Sequence, residues 1–249
     1  MKQVFKRPRS LIDVPFHFCP GCHHGIIHRL VTECIDRYGL REKAIGVASV
    51  GCSVFMYNYL DVDVLEAPHG RAAAVSTGVK RSRPANFVFT YQGDGDLAAI
   101  GTAEIIHAAN RGERISVIFV NNAVFGMTGG QMAPTTMPDQ ETTTTPFGRD
   151  VDINGYPLKM AELLASLEGS TFVARAAVDT PKNLMRAKKL LRKAFEVQIN
   201  NRGFGFVEFL SACPTNWKMS PQQANEKVTG EMIDYYSLGV FKDKDSERG

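Results

Sequence analysis

Five short apolar runs, separated by stretches of helical periodicity, restrict this chain more than any other feature. Residues 44–50 (AIGVASV), 87–91 (FVFTY), 115–120 (ISVIFV), 171–176 (TFVARA) and 205–210 (GFVEFL) are continuous and rich in β-branched or aromatic residues. Runs of that kind are strands covered on both faces. Between them, residues 25–38, 71–80, 97–110, 157–167 and 181–200 carry helical patterns. The alternation predicts an α/β fold, a mostly parallel sheet flanked by helices, because parallel neighbours need a crossover that a helix supplies. The one long irregular stretch, residues 127–150 (MTGGQMAPTTMPDQETTTTPFGRD), is expected to be functional or disordered. The last residues, KDKDSERG, read as a solvated tail.

Composition narrows the function classes. With 249 residues, 44% hydrophobic and 22% charged, the chain is long enough for one large α/β domain or two small ones. A formal net charge of +3 gives no argument for nucleic acid or an anionic membrane. No apolar run approaches the roughly 20 residues of a membrane span. The basic N-terminus lacks an apolar signal-peptide segment, which points to the cytoplasm. Five cysteines in a reducing compartment are not expected to form a disulfide framework.

The stretch FCPGCHHG, residues 18–25, allows several chemistries. Cys19 and Cys22 have the spacing of a redox dithiol, with His23 they spell a covalent-haem pattern, and they can be half of a four-cysteine site for zinc or an iron–sulfur cluster. Cys52 directly follows the run 44–50, and Cys213 the run 205–210. In a parallel sheet all strands end on one edge, so Cys19, Cys22, Cys52 and Cys213 are expected to converge there. The iron–sulfur reading uses all four; zinc sites come more often as two C-x-x-C pairs, and a dithiol leaves Cys52 and Cys213 idle. Cys34 shares a helical face with Ile27, Leu30, Val31 and Ile35 and reads as core.

Residues 93–122, GDGDLAAIGTAEIIHAANRGERISVIFVNN, are the most informative. Glycines bracket Asp94 at a strand-to-helix turn, where backbone N–H groups can approach a phosphate. A dinucleotide site wants an acidic residue at the end of the next strand, whereas this strand ends on Asn121 and Asn122. Asp94 and Asn122 instead place a carboxylate and an amide oxygen at neighbouring strand ends, hard ligands suited to Mg²⁺ bridging a diphosphate.

GDG followed by a helix, a strand and NN resembles the thiamine-diphosphate fingerprint. With CPGC at Cys19–Cys22, GCS around Cys52, HGRAAAVSTGVK from His69, FGMTGGQMAPTT from Phe125 and CPTNW from Cys213, nearly the whole chain resembles the β subunit of a 2-oxoacid:ferredoxin oxidoreductase. The resemblance implies a thiamine-diphosphate-binding fold as a single domain over residues 1–249, with a cluster-binding segment at about 1–24 and a C-terminal extension at about 214–249. It implies thiamine diphosphate, Mg²⁺ held by Asp94, Asn122 and Val124, and a 4Fe-4S cluster on Cys19, Cys22, Cys52 and Cys213. Gly93, Gly95, Asp96, Gly126, Met127, Thr128, Cys52, Ser53 and His69 would contact the cofactor. His69 is the catalytic candidate, with a core histidine as the alternative, and Thr128 would donate to the diphosphate. The implied activity is oxidative decarboxylation of a 2-oxoacid with coenzyme A to acyl-CoA and CO₂, electrons passing through the cluster to ferredoxin. The implied partners are an α-type subunit carrying the glutamate that activates the aminopyrimidine and a ferredoxin-like small subunit. Val54, Phe55 and Met56 either wall an apolar substrate pocket, favouring a 2-oxoisovalerate-like acid over pyruvate or 2-oxoglutarate, or pack into the core. The competing class is a non-catalytic iron–sulfur or zinc electron-transfer protein. The family usually has glycine where this chain has His23; His23 and His24 are expected to cap the following helix.

Overall fold

The structure, a computed structural model, describes residues 6–246. Seven strands form one sheet: β1 (Ala44–Ala48), β2 (Asp63–Glu66), β3 (Phe87–Gly93), β4 (Ser116–Asn121), β5 (Ser170–Ala177), β6 (Phe204–Leu210) and β7 (Gly239–Asp243). Their order is β2-β1-β3-β4-β6-β5-β7, parallel throughout except for β7 on β5. The five strands expected from the sequence are the inner ones. In β4, β5 and β6 every residue is buried, which is why they read as unbroken apolar runs.

The edge strands β2 and β7 are half exposed and short. The supposed tail therefore begins inside the sheet: Lys242 and Asp243 belong to β7, and Lys242 Nζ donates to the carbonyls of Ala165 (3.1 Å) and Leu167 (2.6 Å). Residues 247–249 of that tail, and residues 1–5 of the expected cluster-binding segment, lie outside the described residues.

Helices α1 (His24–Arg37), α2 (Ala72–Ser82), α3 (Thr102–Asn110), α4 (Val151–Asn154), α5 (Met160–Ala165), α6 (Pro181–Ile199), α7 (Pro214–Trp217) and α8 (Pro221–Lys227) complete the frame. α1 and α6 cover one face of the sheet, while α2, α3 and α5 cover the other. α6 starts where the sequence says it should. Thr180 accepts from Asn183 N–H at 3.2 Å, and Pro181 occupies the first turn, where its missing N–H costs nothing. It seats Leu191, Ala194 and Phe195 in the core; each large apolar side chain so buried contributes about 1.5–3 kcal/mol. Cys34 is fully buried in α1, as its position on the apolar face requires, and burial pushes its thiol up to about 12.

The helix expected over residues 97–110 is not continuous. It opens as a wider π-type segment, Gly95–Ile100, and becomes α-helical only after Gly101. Gly101 packs so tightly on Gly70 that a Cβ there would stand 2.9 Å from the Gly70 carbonyl, and its N–H bonds Asp96 O at 2.8 Å. Such segments recur beside functional sites. Among the described residues no helix is long and apolar enough to cross a membrane.

Candidate active site

Parallel pairing brings the carboxyl ends of β1, β3, β4 and β6 to one edge, where open α/β sheets hold their ligands. A cavity of about 210 Å³ opens there. Its lining includes every expected cofactor contact: Cys52, Ser53, His69, Gly93, Asp94, Gly95, Asp96, Asn122, Val124, Gly126, Met127 and Thr128.

Asp94 sits at the floor, 2% exposed. One carboxylate oxygen accepts from Gly95 N–H (2.8 Å); the other accepts from Asn122 N–H (3.2 Å) and the Thr135 hydroxyl (2.8 Å). Burial pushes its carboxyl up to about 6, and these donors hold it from rising further. Asn122 Oδ1 accepts from Val124 N–H at 3.3 Å, so the amide is already turned with its oxygen toward the loop. Gly95 has no room for a side chain, because a Cβ would run into the Phe125 ring.

The two asparagines divide the work. Asn121 turns away from the cavity: its Nδ2 donates to the buried Glu208 at 2.8 Å, and its Oδ1 accepts from Ala123 N–H at 3.1 Å. Glu208 in turn pairs with Arg175 Nε at 2.9 Å. Ala123 has a left-handed backbone, φ +59°, unusual for a residue with a Cβ, and Asn121 below it and the Thr136 hydroxyl on its carbonyl (2.6 Å) hold it there. That turn delivers Asn122 and Val124 to the cavity wall.

A carboxylate, an amide and a run of tightly turned backbone form a hard-oxygen donor set, which fits a diphosphate and its divalent cation. Asp94 is the sole ionisable member of that set.

Asp96 is 1% exposed and accepts at both oxygens, from Gly70 N–H (2.6 Å) and Gln92 Nε2 (2.6 Å). His69 Nδ1 lies 2.9 Å from the first of these oxygens. His69 is therefore no core histidine: its ring is a third exposed, lines the cavity and is braced from behind by a buried carboxylate.

The four expected cysteines are neighbours at this edge, though as they stand no three of the described His, Cys, Asp or Glu side chains form a group able to hold a metal ion. A Cβ on Gly126 would stand 3.4 Å from Cys52 Sγ and 3.8 Å from Cys213 Sγ. Burial pushes the Cys22 thiol up to about 12, and Cys213, Cys52 and Cys19 add to the rise by like-charge repulsion. Cys52 is raised to about 11 in the same way, and Cys213 is also raised, chiefly by burial. Asn216 Nδ2 donates to Cys213 Sγ at 3.2 Å and to Gly126 O at 2.7 Å.

Three expectations need correction. His23 occupies the N-cap position of α1 but caps nothing with its side chain. Its Nδ1 accepts from Ala212 N–H (3.4 Å) and its Nε2 faces Asn225 Oδ1 (3.1 Å), tying α1 to the segment that carries Cys213. His24 is likewise no cap; it is buried against the Tyr91 hydroxyl (Nδ1 to Oη 2.7 Å) and lines the cavity. Thr128 lines the cavity as expected, and its hydroxyl donates to Gln131 Oε1 at 2.6 Å. Val54, Phe55 and Met56 do not wall the cavity. They lie on a 3-10 helix, Cys52–Asn58, that turns Met56 into the core and Phe55 onto His17, ring centroids 4.1 Å apart.

The long loop is ordered. Arg149, 4% exposed, donates to the carbonyls of Pro134 (3.0 Å), Thr136 (2.6 Å) and Gly155 (2.8 Å), and the Tyr236 hydroxyl caps Thr135 O at 2.6 Å. Thr135, Gln92, Tyr91 and His24 all support the site, and none carries a local signal beyond lying in or beside a quoted motif.

Comparison with known proteins agrees with this geometry. Residues 49–224 match the family described as thiamine pyrophosphate enzyme, C-terminal TPP binding domain. Ketoisovalerate oxidoreductase subunit VorA of Methanothermobacter marburgensis is 45% identical over 247 residues, which cover 99% of this chain and 52% of that protein. 2-Oxoglutarate synthase subunit KorB of Archaeoglobus fulgidus is 33% identical over 239 residues, covering 92% of this chain and 85% of that protein. The solved 2-oxoglutarate:ferredoxin oxidoreductase from Magnetococcus marinus superposes with a TM-score of 0.73 at 29% identity, covering 86% of this chain and 69% of that one. The chain spans about half the length of the VorA relatives it matches.

Proposed function

Since this chain belongs to the thiamine pyrophosphate enzymes, among the subunits of 2-oxoacid:ferredoxin oxidoreductases, we propose that it is the subunit that binds thiamine diphosphate and passes its electrons on. The observation that carries this reading is a single cavity lined by both Asp94–Asn122 and Cys52. A diphosphate anchor and a redox wall stand face to face there. A plain electron-transfer protein would have no use for the buried, pre-paired Asp94.

In this reading Asp94, Asn122 and Val124 hold Mg²⁺ against the diphosphate. The glycine turn at Gly93 and Gly95 lets it approach the backbone, and Gly126 and Met127 close over it. Cys19, Cys22, Cys52 and Cys213 hold a 4Fe-4S cluster, in which each iron takes one thiolate. When bound, the thiamine supplies the nucleophile that attacks a 2-oxoacid carbonyl, and the cluster accepts electrons singly. His69, braced by Asp96, is the polar group placed to orient the substrate or move a proton beside it. Asn216 sets the charge around Cys213 by its hydrogen bond.

Among the described residues no glutamate lines the cavity. The glutamate that activates the aminopyrimidine is therefore assigned to an α-type partner subunit, and coenzyme A takes the acyl group in the assembled enzyme. The higher identity to VorA than to KorB favours a branched-chain 2-oxoacid over 2-oxoglutarate. A ferredoxin-like subunit and ferredoxin complete the electron path, in the cytoplasm.

The test is iron, acid-labile sulfide and thiamine diphosphate content of the anaerobically purified complex. About four irons and four sulfides per copy of this chain, with stoichiometric thiamine diphosphate, are expected. Zinc without sulfide would sever the cysteines from the thiamine site and overturn the redox half of the reading.

A further inference from the structure

Away from the cavity, surface charge is concentrated on one face. α6 carries Lys182, Arg186, Lys188, Lys189, Arg192 and Lys193 against one acid, Glu196, in a chain whose formal net charge is only +3. The arm before α1 brings Lys6, Arg7 and Arg9 to the same side, where with Arg37 and Arg192 they line a cleft of about 910 Å³. The nearby acids are already engaged: Glu33 by Arg29 and Lys188, Asp36 by the backbone of Arg9 and by Ser10, Glu42 by Arg41, Asp13 by Arg7, and Glu196 by the Tyr38 hydroxyl. Lys182, Arg186, Lys189 and Arg37 make no ion pair among the described residues.

A second observation adjoins the first. An apolar groove of about 640 Å³ runs beside the cleft and shares Glu33 and Lys188 with it. Phe16, Ile26 and Met185 lie open on it at 38%, 36% and 56% exposure, and its far wall is Cys19 and Cys22. The charges that line the groove, Arg29, Glu33 and Lys188, pair with one another, but Arg186 and Lys189 stand next to Met185 and Lys188 along α6, so exposed apolar surface is flanked by cations without an ion pair, the composition of a docking surface.

We propose that this α1–α6 face docks an acidic electron-carrier protein, seated on the groove beside Cys19. The proposal rests on the redox reading of the four cysteines. A negatively charged carrier is drawn by the α6 cations, and the groove sets it against the most exposed of the four thiols, the shortest way out for an electron held there. Steering of this kind raises association rates by about 10- to 1,000-fold and fades with added salt.

The test uses the complete complex with two acceptors, a purified acidic ferredoxin and the small cationic dye methyl viologen. In Arg186→Glu/Lys189→Glu the KM for ferredoxin is expected to rise about tenfold, with dye reduction unchanged. The wild-type KM for ferredoxin is expected to climb between about 50 and about 300 mM salt, and the variant's to respond far less. Met185→Ser, which alters the groove without altering charge, is expected to weaken ferredoxin use but not dye reduction. An unchanged ferredoxin KM in both variants overturns the proposal. So does a shift in the coenzyme A KM alone, which would make the face a polyphosphate site, or loss of the partner subunits on purification, which would make it a subunit interface. A wild-type complex that reduces neither acceptor removes the redox reading itself, and the docking proposal with it.

Discussion

Replacing Asp96 by asparagine isolates the brace behind His69. The substitution keeps the shape of the side chain, removes its charge and turns one acceptor oxygen into a donor. The oxygen shared by Gly70 N–H and His69 Nδ1 can remain a carbonyl, whereas the oxygen facing Gln92 Nε2 becomes an amide that opposes another donor. Gln92 has a way out, since its Oε1 is buried without a partner and a flip of the amide would turn it toward the new NH₂. The fold should therefore survive with a loss of about 1 kcal/mol. At His69 the carboxylate, 2.9 Å away but not aligned as a hydrogen bond, loses its charge, a difference of about 1–2 kcal/mol. If His69 acts on the reacting groups, that loss appears as about a 5- to 30-fold fall in kcat. Dye-linked oxidation of 2-oxoisovalerate by the complete complex measures it, with a melting curve alongside. A double variant with His69→Asn separates bracing from general support: a brace makes the double variant no slower than His69→Asn alone. Full additivity, or an Asp96→Asn enzyme within about twofold of wild type, would refute the reasoning.

Two further outcomes follow from packing and burial. Gly95→Ala drives a methyl group into the Phe125 ring at the diphosphate turn, so a destabilisation of about 1–3 kcal/mol and a weakened hold on thiamine diphosphate are expected. Unchanged melting and thiamine diphosphate titration would show that the turn has slack. His28 is fully buried among Phe16, Phe18, Tyr59 and Tyr91 with neither ring nitrogen partnered, and burial holds it neutral well below the usual histidine range. The unfolded chain takes up that proton below about pH 6.5 while the folded chain does not, so this residue's contribution is whole above that pH and is lost as pH falls, by about 1.4 kcal/mol per unit. His28→Phe should flatten the stability curve below about pH 6.5 by one proton's slope. An unaltered slope in urea unfolding across that range would mean that the folded protein protonates His28 after all.

The inner sheet was legible because strands covered on both faces can spend almost no residue on water. β4, β5 and β6 leave the clearest trace for that reason. β2 and β7 left none: DVLE and GVFKD mix ionic and apolar residues as surface loops do, and only a neighbour brought from elsewhere in the chain makes them strands. The diphosphate turn was legible at Asp94 and Asn122 because glycine and a strand-to-helix junction are local features. Its support was not. Thr135 reaches Asp94 across 41 positions and Glu208 reaches Asn121 across 87, and no local pattern reports such meetings. His23 and His24 show a local rule losing to tertiary packing: polar residues at a helix start commonly cap it, but here Asn225 and Tyr91 offer buried partners instead. For Val54–Met56 the core alternative holds over the pocket one, since the tight 3-10 turn points Met56 at the sheet rather than at the cavity.

The Arg149-centred loop has a consequence for how the protein breathes. Surface loops are ordinarily the first segments to open, to exchange their amide hydrogens and to be cut. Here a guanidinium gathers carbonyls from both ends of a segment whose one helix is the single turn α4, and the same segment sends Thr135 to Asp94 and Thr136 to Ala123. Opening it would strip the floor carboxylate of a donor and release the left-handed turn at Ala123 in one event. The loop and the strand ends thus form one cooperative unit, and its amides should exchange with the slowness of core rather than of surface. Tolerance to insertion shrinks accordingly to the tip, where Phe147 stands fully exposed. Long and irregular as it is, this segment behaves mechanically as part of the sheet it covers.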